Sequence, residues 1–302
     1  MWFWLSLIAL LCWSGSDLFS KIGCRDPRDK FSPLKMVIAV GVVMGLHAAY
    51  EIFVGGTEIN LSILLTYLPV SLLYISSMTL GYVGLRYIEL SISSPICNSS
   101  GALVAVMTLI FSGISGYSPL ALVAVALVCA GAIGLGVVDA CEDEDLRAAR
   151  QETSNYKYAK SAMALAMPVA YCLLDAAGTF ADNRVLETLN EDSANVAYEL
   201  TFLLAAVVCF VYVVLIKRTP LIPKLEAPKY IGAVCETAGQ FAYIYAIADT
   251  EHLAMSAPII SSYCAASVLW SRIFLKEKLS WKHYLMILLI IIGIAIMGFF
   301  DM

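Results

Sequence analysis

Apolar residues run along this chain in ten long stretches separated by short polar ones. They lie near 2–20, 34–54, 62–84, 91–113, 118–138, 159–181, 194–216, 228–248, 253–273 and 282–300. Each is close to the roughly 20 residues that a helix needs to cross a bilayer. The pattern predicts an all-α integral membrane protein with ten transmembrane helices. The longest polar stretch, 140–158, contains Glu142-Asp143-Glu144-Asp145 followed by Arg147 and Arg150. It reads as a solvated linker between a first five-helix repeat, 1–139, and a second, 159–302. The first stretch has no basic lead and no small-residue cleavage site, so it is expected to remain as a helix.

The two halves resemble each other. Ser93-Ser94-Pro95-Ile96-Cys97-Asn98-Ser99 returns as Ser256-Ala257-Pro258-Ile259-Ile260-Ser261-Ser262, 163 residues later. The same offset pairs Gly15 with Gly178, Tyr82 with Tyr245 and Phe111 with Phe274. Five spans is an odd number, so a tandem copy must sit upside down. A 5+5 inverted repeat around a central cavity is the sequence mark of many secondary transporters.

Composition agrees with a membrane protein. Hydrophobic residues make up 60% of the chain and charged residues 14%, against about 25% charged in soluble domains. Of the 19 Lys and Arg residues, all but Arg184 fall in the odd-numbered loops or at their edges. The positive-inside rule then puts the odd loops in the cytoplasm and both termini outside, in a multi-pass protein of the cell membrane. Nine cysteines lie mostly within the spans and form no CxxC pair, which suits small apolar packing residues. His47 and His252 have no partners at ligand spacing, so no metal site is expected. Neither a cofactor nor a nucleic-acid signature is present in the sequence, which leaves the oligomeric state open.

Charges inside spans are costly and default to functional candidates. Glu236 is the foremost, with Gln240 at i+4 and Tyr243 at i+7 on the same helix face. Asp175 has only small or apolar neighbours. Asp17 has Lys21 at i+4, so a local ion pair and a substrate role are both open. Glu51, Glu89, Glu199, Asp249 and Glu251 fall near the external ends of spans and are expected to be solvated. Pro95 and Pro258 align in the repeat; each removes a backbone hydrogen bond and kinks its helix. Matched interruptions point to a binding site at that depth, with Asn98 and Ser262 one turn beyond them. Trp13, Tyr74, Tyr243, Tyr263 and Trp270 add aromatic faces near the acids. Acids with aromatic faces suit a cation or amine, and the spans hold no mid-membrane Lys or Arg for an anion.

The run from Ala257 to Ile294 resembles the end of EamA-type proteins of the drug/metabolite transporter superfamily. Its short loop, Leu275-Lys276-Glu277-Lys278-Leu279-Ser280, is similar to the family's GE-(R/K)-L-S loop, with Lys276 in place of the usual Gly. Leu10 to Gly23, with Trp13 and Lys21, resembles the family's first helix. The resemblance implies a basket in which helices 1, 3, 4, 6, 8 and 9 surround the cavity and 5 and 10 pack at the edge. Family members commonly have cytoplasmic termini, so the charge pattern argues for the opposite orientation here.

Together these readings predict a secondary active transporter that moves a small polar metabolite, cationic or amine-bearing, by alternating access. Its small-molecule substrate and the lipid bilayer are the expected partners, and a proton or an exchanged substrate would supply the coupling. The alternatives are a passive channel and an intramembrane enzyme. Gly113-Ile114-Ser115-Gly116 matches a GxSG motif but has no candidate His base near it, so the chain is not expected to be an enzyme.

Overall fold

The computed structural model describes residues 1–24, 29–87, 90–113, 117–141, 162–276 and 279–299. Among the described residues twelve helices follow one another and no strand occurs. In the first half these are α1 (Trp2–Cys24), α2 (Ser32–Tyr50), α3 (Leu61–Tyr87), α4 (Leu90–Asn98), α5 (Ser100–Ser112) and α6 (Pro119–Ala140). In the second they are α7 (Ala162–Leu186), α8 (Glu191–Phe210), α9 (Pro223–Ala248), α10 (Leu253–Ser261), α11 (Tyr263–Trp270) and α12 (Trp281–Phe299). α2, α8 and α11 each end in a wider π-helical turn, at Glu51–Gly55, Val211–Ile216 and Ser271–Leu275.

Among the described residues eight spans are long and apolar enough to cross a membrane, counting α4–α5 and α10–α11 as one each. α7 and α9 have the length, 25 and 26 residues. Their apolarity is diluted by Asp175, Asp182 and Arg184 in α7 and by Glu226, Lys229, Glu236 and Gln240 in α9. Several helices outrun the apolar stretches that predict them, since polar residues continue the last turns. Of the expected linker 140–158, residues 142–158 lie outside the described residues, as does Glu89.

Packing is mostly between halves. α1 lies chiefly on α9, α3 on α7, α2 on α8 and α6 on α12. One apolar cluster joins α2, α3, α8 and α9 around Tyr67, Tyr198, Phe202 and Ile247. The other joins α1, α6, α10, α11 and α12 around Leu10, Val128, Ile259 and Ile290. The outer surface is also apolar, with Leu46, Phe53, Ile110, Leu204, Val208 and Ile291 all exposed. Water would penalise such a surface, while a bilayer solvates it. α6 and α12 approach closely because Gly131 and Gly293 face the opposing helix. A Cβ at Gly131 would come within 2.5 Å of Ile290 Cγ1, and one at Gly293 within 2.6 Å of Val128 Cγ2.

Several charges inside the protein are paired. Where α2 and α9 begin, Lys35 Nζ lies 2.9 Å from Asp29 and 3.3 Å from Glu226, and Lys229 lies 2.8 Å from Glu226. Lys21 Nζ donates to the Leu85 carbonyl at 2.9 Å. The expectation that Glu199 is solvated is corrected. Its carboxylate is fully buried between α2 and α8 and accepts from His47 Nδ1 at 2.8 Å and Asn195 Nδ2 at 3.3 Å. More than two turns into α8, this buried carboxylate is shut off from water, so it takes neighbouring donors instead.

Candidate functional site

The helix breaks set the site. Ser99 separates α4 from α5 and Ser262 separates α10 from α11. Four residues before each break stands a proline, whose missing N–H weakens the preceding turn. The break at Ser99 is closed by its own N–H to the Pro95 carbonyl at 3.1 Å, and that at Ser262 by its N–H to the Pro258 carbonyl at 3.0 Å. Pro95 and Pro258 shape these bends from outside the cavity wall. Small residues near the breaks let the two bent helices touch, with Gly101 of α5 against Ser261 of α10.

A cavity lies between the halves at the level of the breaks. Its walls come from α1, α3, α4, α5, α7, α9, α10 and α11, which matches the ring of helices that the family resemblance implies. α8 adds Tyr198, which that ring did not include. Nine of the ten sequence-derived binding candidates line it: Trp13, Asp17, Tyr74, Asn98, Asp175, Glu236, Gln240, Tyr243 and Tyr263. Ser262 does not. Its hydroxyl turns back to the Ile259 carbonyl at 2.5 Å, and the register of the bend presents Ser261 to the cavity instead. Trp270 is also outside the wall, its indole donating to Ser14 Oγ at 3.0 Å.

Three carboxylates face this one space, and among the described residues none that lines it is a Lys, Arg or His. Each acid is held by hydroxyls from another helix. Asp17 accepts from Ser94 Oγ at 2.5 Å and Ser267 Oγ at 2.8 Å, tying α1 to α4 and α11. Asp175 accepts from Ser100 Oγ at 2.7 Å, tying α7 to α5. Glu236 is hydrogen-bonded by Ser16, and the Trp13 indole donates to its backbone carbonyl at 3.3 Å. Asn98 Nδ2 bonds the Ser94 carbonyl at 2.8 Å and so fixes the serine that holds Asp17. Aromatic rings complete the walls, with Trp13 centred 5.0 Å from Tyr243 and 5.8 Å from Tyr263.

One end of the cavity is closed by a network that centres on Asp182. Tyr67 donates to its carboxylate at 2.8 Å and Tyr74 at 3.4 Å. Tyr74 and Tyr243 each reach Thr179 Oγ1 at 3.2 Å, and their hydroxyls bond each other. Asp182 escapes a sequence reading because it opens the polar run Asp182-Asn183-Arg184 that looks like a helix end. Its signal was spacing: Asp182 is seven residues after Asp175, on the same face of α7.

The histidines lie away from this cavity. His47 pairs with Glu199, and His252 pairs with Asp249 at 2.8 Å. Among the described residues no His, Cys, Asp and Glu side chains are grouped to hold a metal ion. Ser115 of the GxSG motif lies outside the described residues.

Residues 164–299 match the EamA-like transporter family. No curated protein matches the chain. A protein of known crystal structure superposes with a TM-score of 0.62 at 15% identity, covering 98% of this chain and 96% of its own. At that identity the likeness concerns the fold alone. The second half of this multi-pass membrane protein is thus similar to the EamA-like transporter family, in line with the resemblance of the run from Ala257 to Ile294.

Proposed function

We propose that this protein is a ten-span secondary transporter that carries a small amine-bearing cation across the cell membrane by alternating access. The observation that carries this reading is the cavity itself. Asp17, Asp175 and Glu236 meet in a space with aromatic walls and, among the described residues, no basic lining residue. A cation gains both the carboxylates and the ring faces, whereas an anion would meet only like charge.

The inverted 5+5 repeat is supported by the order of elements. α4 and α10 begin and end 163 residues apart, at Leu90–Asn98 and Leu253–Ser261. The breaks at Ser99 and Ser262 keep the same offset. Contacts follow a two-fold pattern: α1 lies on α9 as α7 lies on α3, and α2 lies on its own counterpart α8. Such a pairing lets one bundle rock against the other around a fixed central site. The polar character of α7 and α9 follows from lining that site, so these two are counted as spans beside the eight more apolar ones.

Coupling is assigned to Glu236, which can hold either a proton or the substrate's ammonium. That competition gives exchange of one for the other, and two substrate molecules exchange by the same route. The test is flux into proteoliposomes that contain the purified protein. Saturable uptake of a labelled primary amine, accelerated by unlabelled amine on the far side, is expected. Uptake that never saturates and shows no counterflow would instead make the protein a passive channel.

A further inference from the structure

Three side-chain atoms at the cavity wall are buried without a hydrogen-bond partner among the described residues: Gln240 Nε2, Tyr82 Oη and Ser20 Oγ. Their residues are 2%, 6% and 2% exposed. They come from three different helices, α9, α3 and α1. Buried polar atoms are nearly always paired, so three unpaired ones on one wall are a feature of the site.

Their placement around Glu236 is ordered. α1 and α9 run antiparallel, with Trp13 against Gly239, Gly15 against Cys235 and Gly23 against Lys229. Ser16 bonds Glu236 across this contact. Gln240 is one turn from Glu236 in one direction, about 6 Å along the axis. Ser20 is one turn from Ser16, and so lies about 6 Å in the other direction. Tyr82 comes from α3, the helix that also supplies Tyr74 and Met78 to the wall. The carboxylate is thus flanked on both sides by groups that seek hydrogen bonds.

An alkylammonium or quaternary cation would satisfy Glu236 and leave all three atoms unpaired. A ligand with oxygen atoms around its nitrogen would satisfy them together. Size narrows the class further. Water centres can occupy about 70 Å³ of the cavity, room for about five waters, or about 150 Å³ of liquid. That is the bulk of one six-membered ring with its substituents.

Building on the amine reading above, we propose that the substrate is a polyhydroxylated amine of about the size of a single aminosugar, with its ammonium on Glu236. Gln240, Tyr82 and Ser20 read its hydroxyls. Sites built to pair a substrate hydroxyl reject the analogue that lacks it, because their own groups stay unpaired. A preference of about tenfold or more over an apolar amine of equal ring size is expected.

The test is calorimetric titration of the full chain in nanodiscs with glucosamine and with cyclohexylamine. These share a ring and an ammonium and differ chiefly in hydroxyls. Glucosamine should bind at least about tenfold more tightly. In the variant carrying Ser20→Ala, Tyr82→Phe and Gln240→Leu the ratio should fall to near one. Thermal stability of that variant should hold or rise, because it loses buried groups that pair with nothing among the described residues. Equal affinity of the wild-type protein for the two amines would overturn the hydroxyl inference and leave the amine reading standing. Binding of neither would overturn the amine reading, and this inference with it. A ratio that persists in the variant would remove the three side chains from recognition.

Discussion

The Tyr67 hydroxyl donates to the Asp182 carboxylate at 2.8 Å across the α3–α7 contact, with both residues fully buried. It joins the two halves of the chain where the cavity closes. Tyr67→Phe removes the donor and keeps the ring. Asp182 would then keep only the longer bond from Tyr74, so the substitution should cost about 1–3 kcal/mol. Thermal unfolding in detergent measures it, and an unchanged midpoint would show that the bond holds nothing.

Much of the cavity lining could be read from the sequence for a physical reason. Glu236, Asp175 and Asp17 stand out because a charge inside an apolar stretch has a cost that a neighbour or ligand must offset. The bends were legible because proline removes a hydrogen bond wherever it stands. What stayed hidden depends on tertiary contacts. Asp182 and Glu199 lie near stretch ends, where sequence cannot tell a solvated acid from one that meets Tyr67 or His47. The serines that hold Asp17 and Asp175, Ser94, Ser267 and Ser100, are ordinary small residues until the helices pack. Ser261 replaces Ser262 in the wall because the direction of a side chain past a bend depends on the local register. α7 and α9 are long helices whose lining residues lower the very apolarity by which spans are recognised.

The His47–Glu199 pair gives a second prediction. His47→Leu leaves a carboxylate that is wholly buried with Asn195 as its remaining side-chain donor. Breaking one side of such a pair costs more than replacing both. The single variant should lose about 3 kcal/mol, and adding Glu199→Leu should restore most of it. A double variant no more stable than the single would assign the loss to packing around the His47 ring.

Gly131 offers a test of the α6–α12 contact. An alanine there would meet Ile290 Cγ1 at 2.5 Å and the Met286 carbonyl oxygen at 2.8 Å. A side chain can turn aside, but a backbone oxygen within a helix cannot, so the helices must separate. Gly131→Ala should destabilise by about 1–3 kcal/mol. The contact lies away from the cavity, so substrate affinity should change little in the fraction that remains folded.

Orientation can be tested on the native cysteines. Among the nine, Cys141 alone is exposed, and it directly follows α6. The bias of basic residues toward odd loops puts that end of α6 in the cytoplasm. A membrane-impermeant maleimide should label inside-out vesicles and spare intact cells, and Cys141→Ser should abolish the label. Labelling of intact cells would reverse the topology and put both termini inside.

Glu236 is expected to carry the coupling step, and its position explains why. It is the acid flanked by Gln240 and Ser20, on the helix that packs most extensively against the other half. A proton and an ammonium cannot both occupy one carboxylate. Raising the pH removes the competing proton, so amine binding to the wild-type protein should strengthen as pH rises. Glu236→Gln keeps the size of the side chain and cannot ionise. In that variant, uptake driven by a proton gradient should fall to the level of protein-free liposomes, and any residual binding should lose its pH dependence. Asp175→Asn, examined in parallel, should keep the wild-type slope because Asp175, held by Ser100 from the other half, is not the acid flanked by Gln240 and Ser20. If Glu236→Gln retains the wild-type pH profile while Asp175→Asn loses it, the coupling group lies on α7 and Glu236 serves only to seat the ammonium.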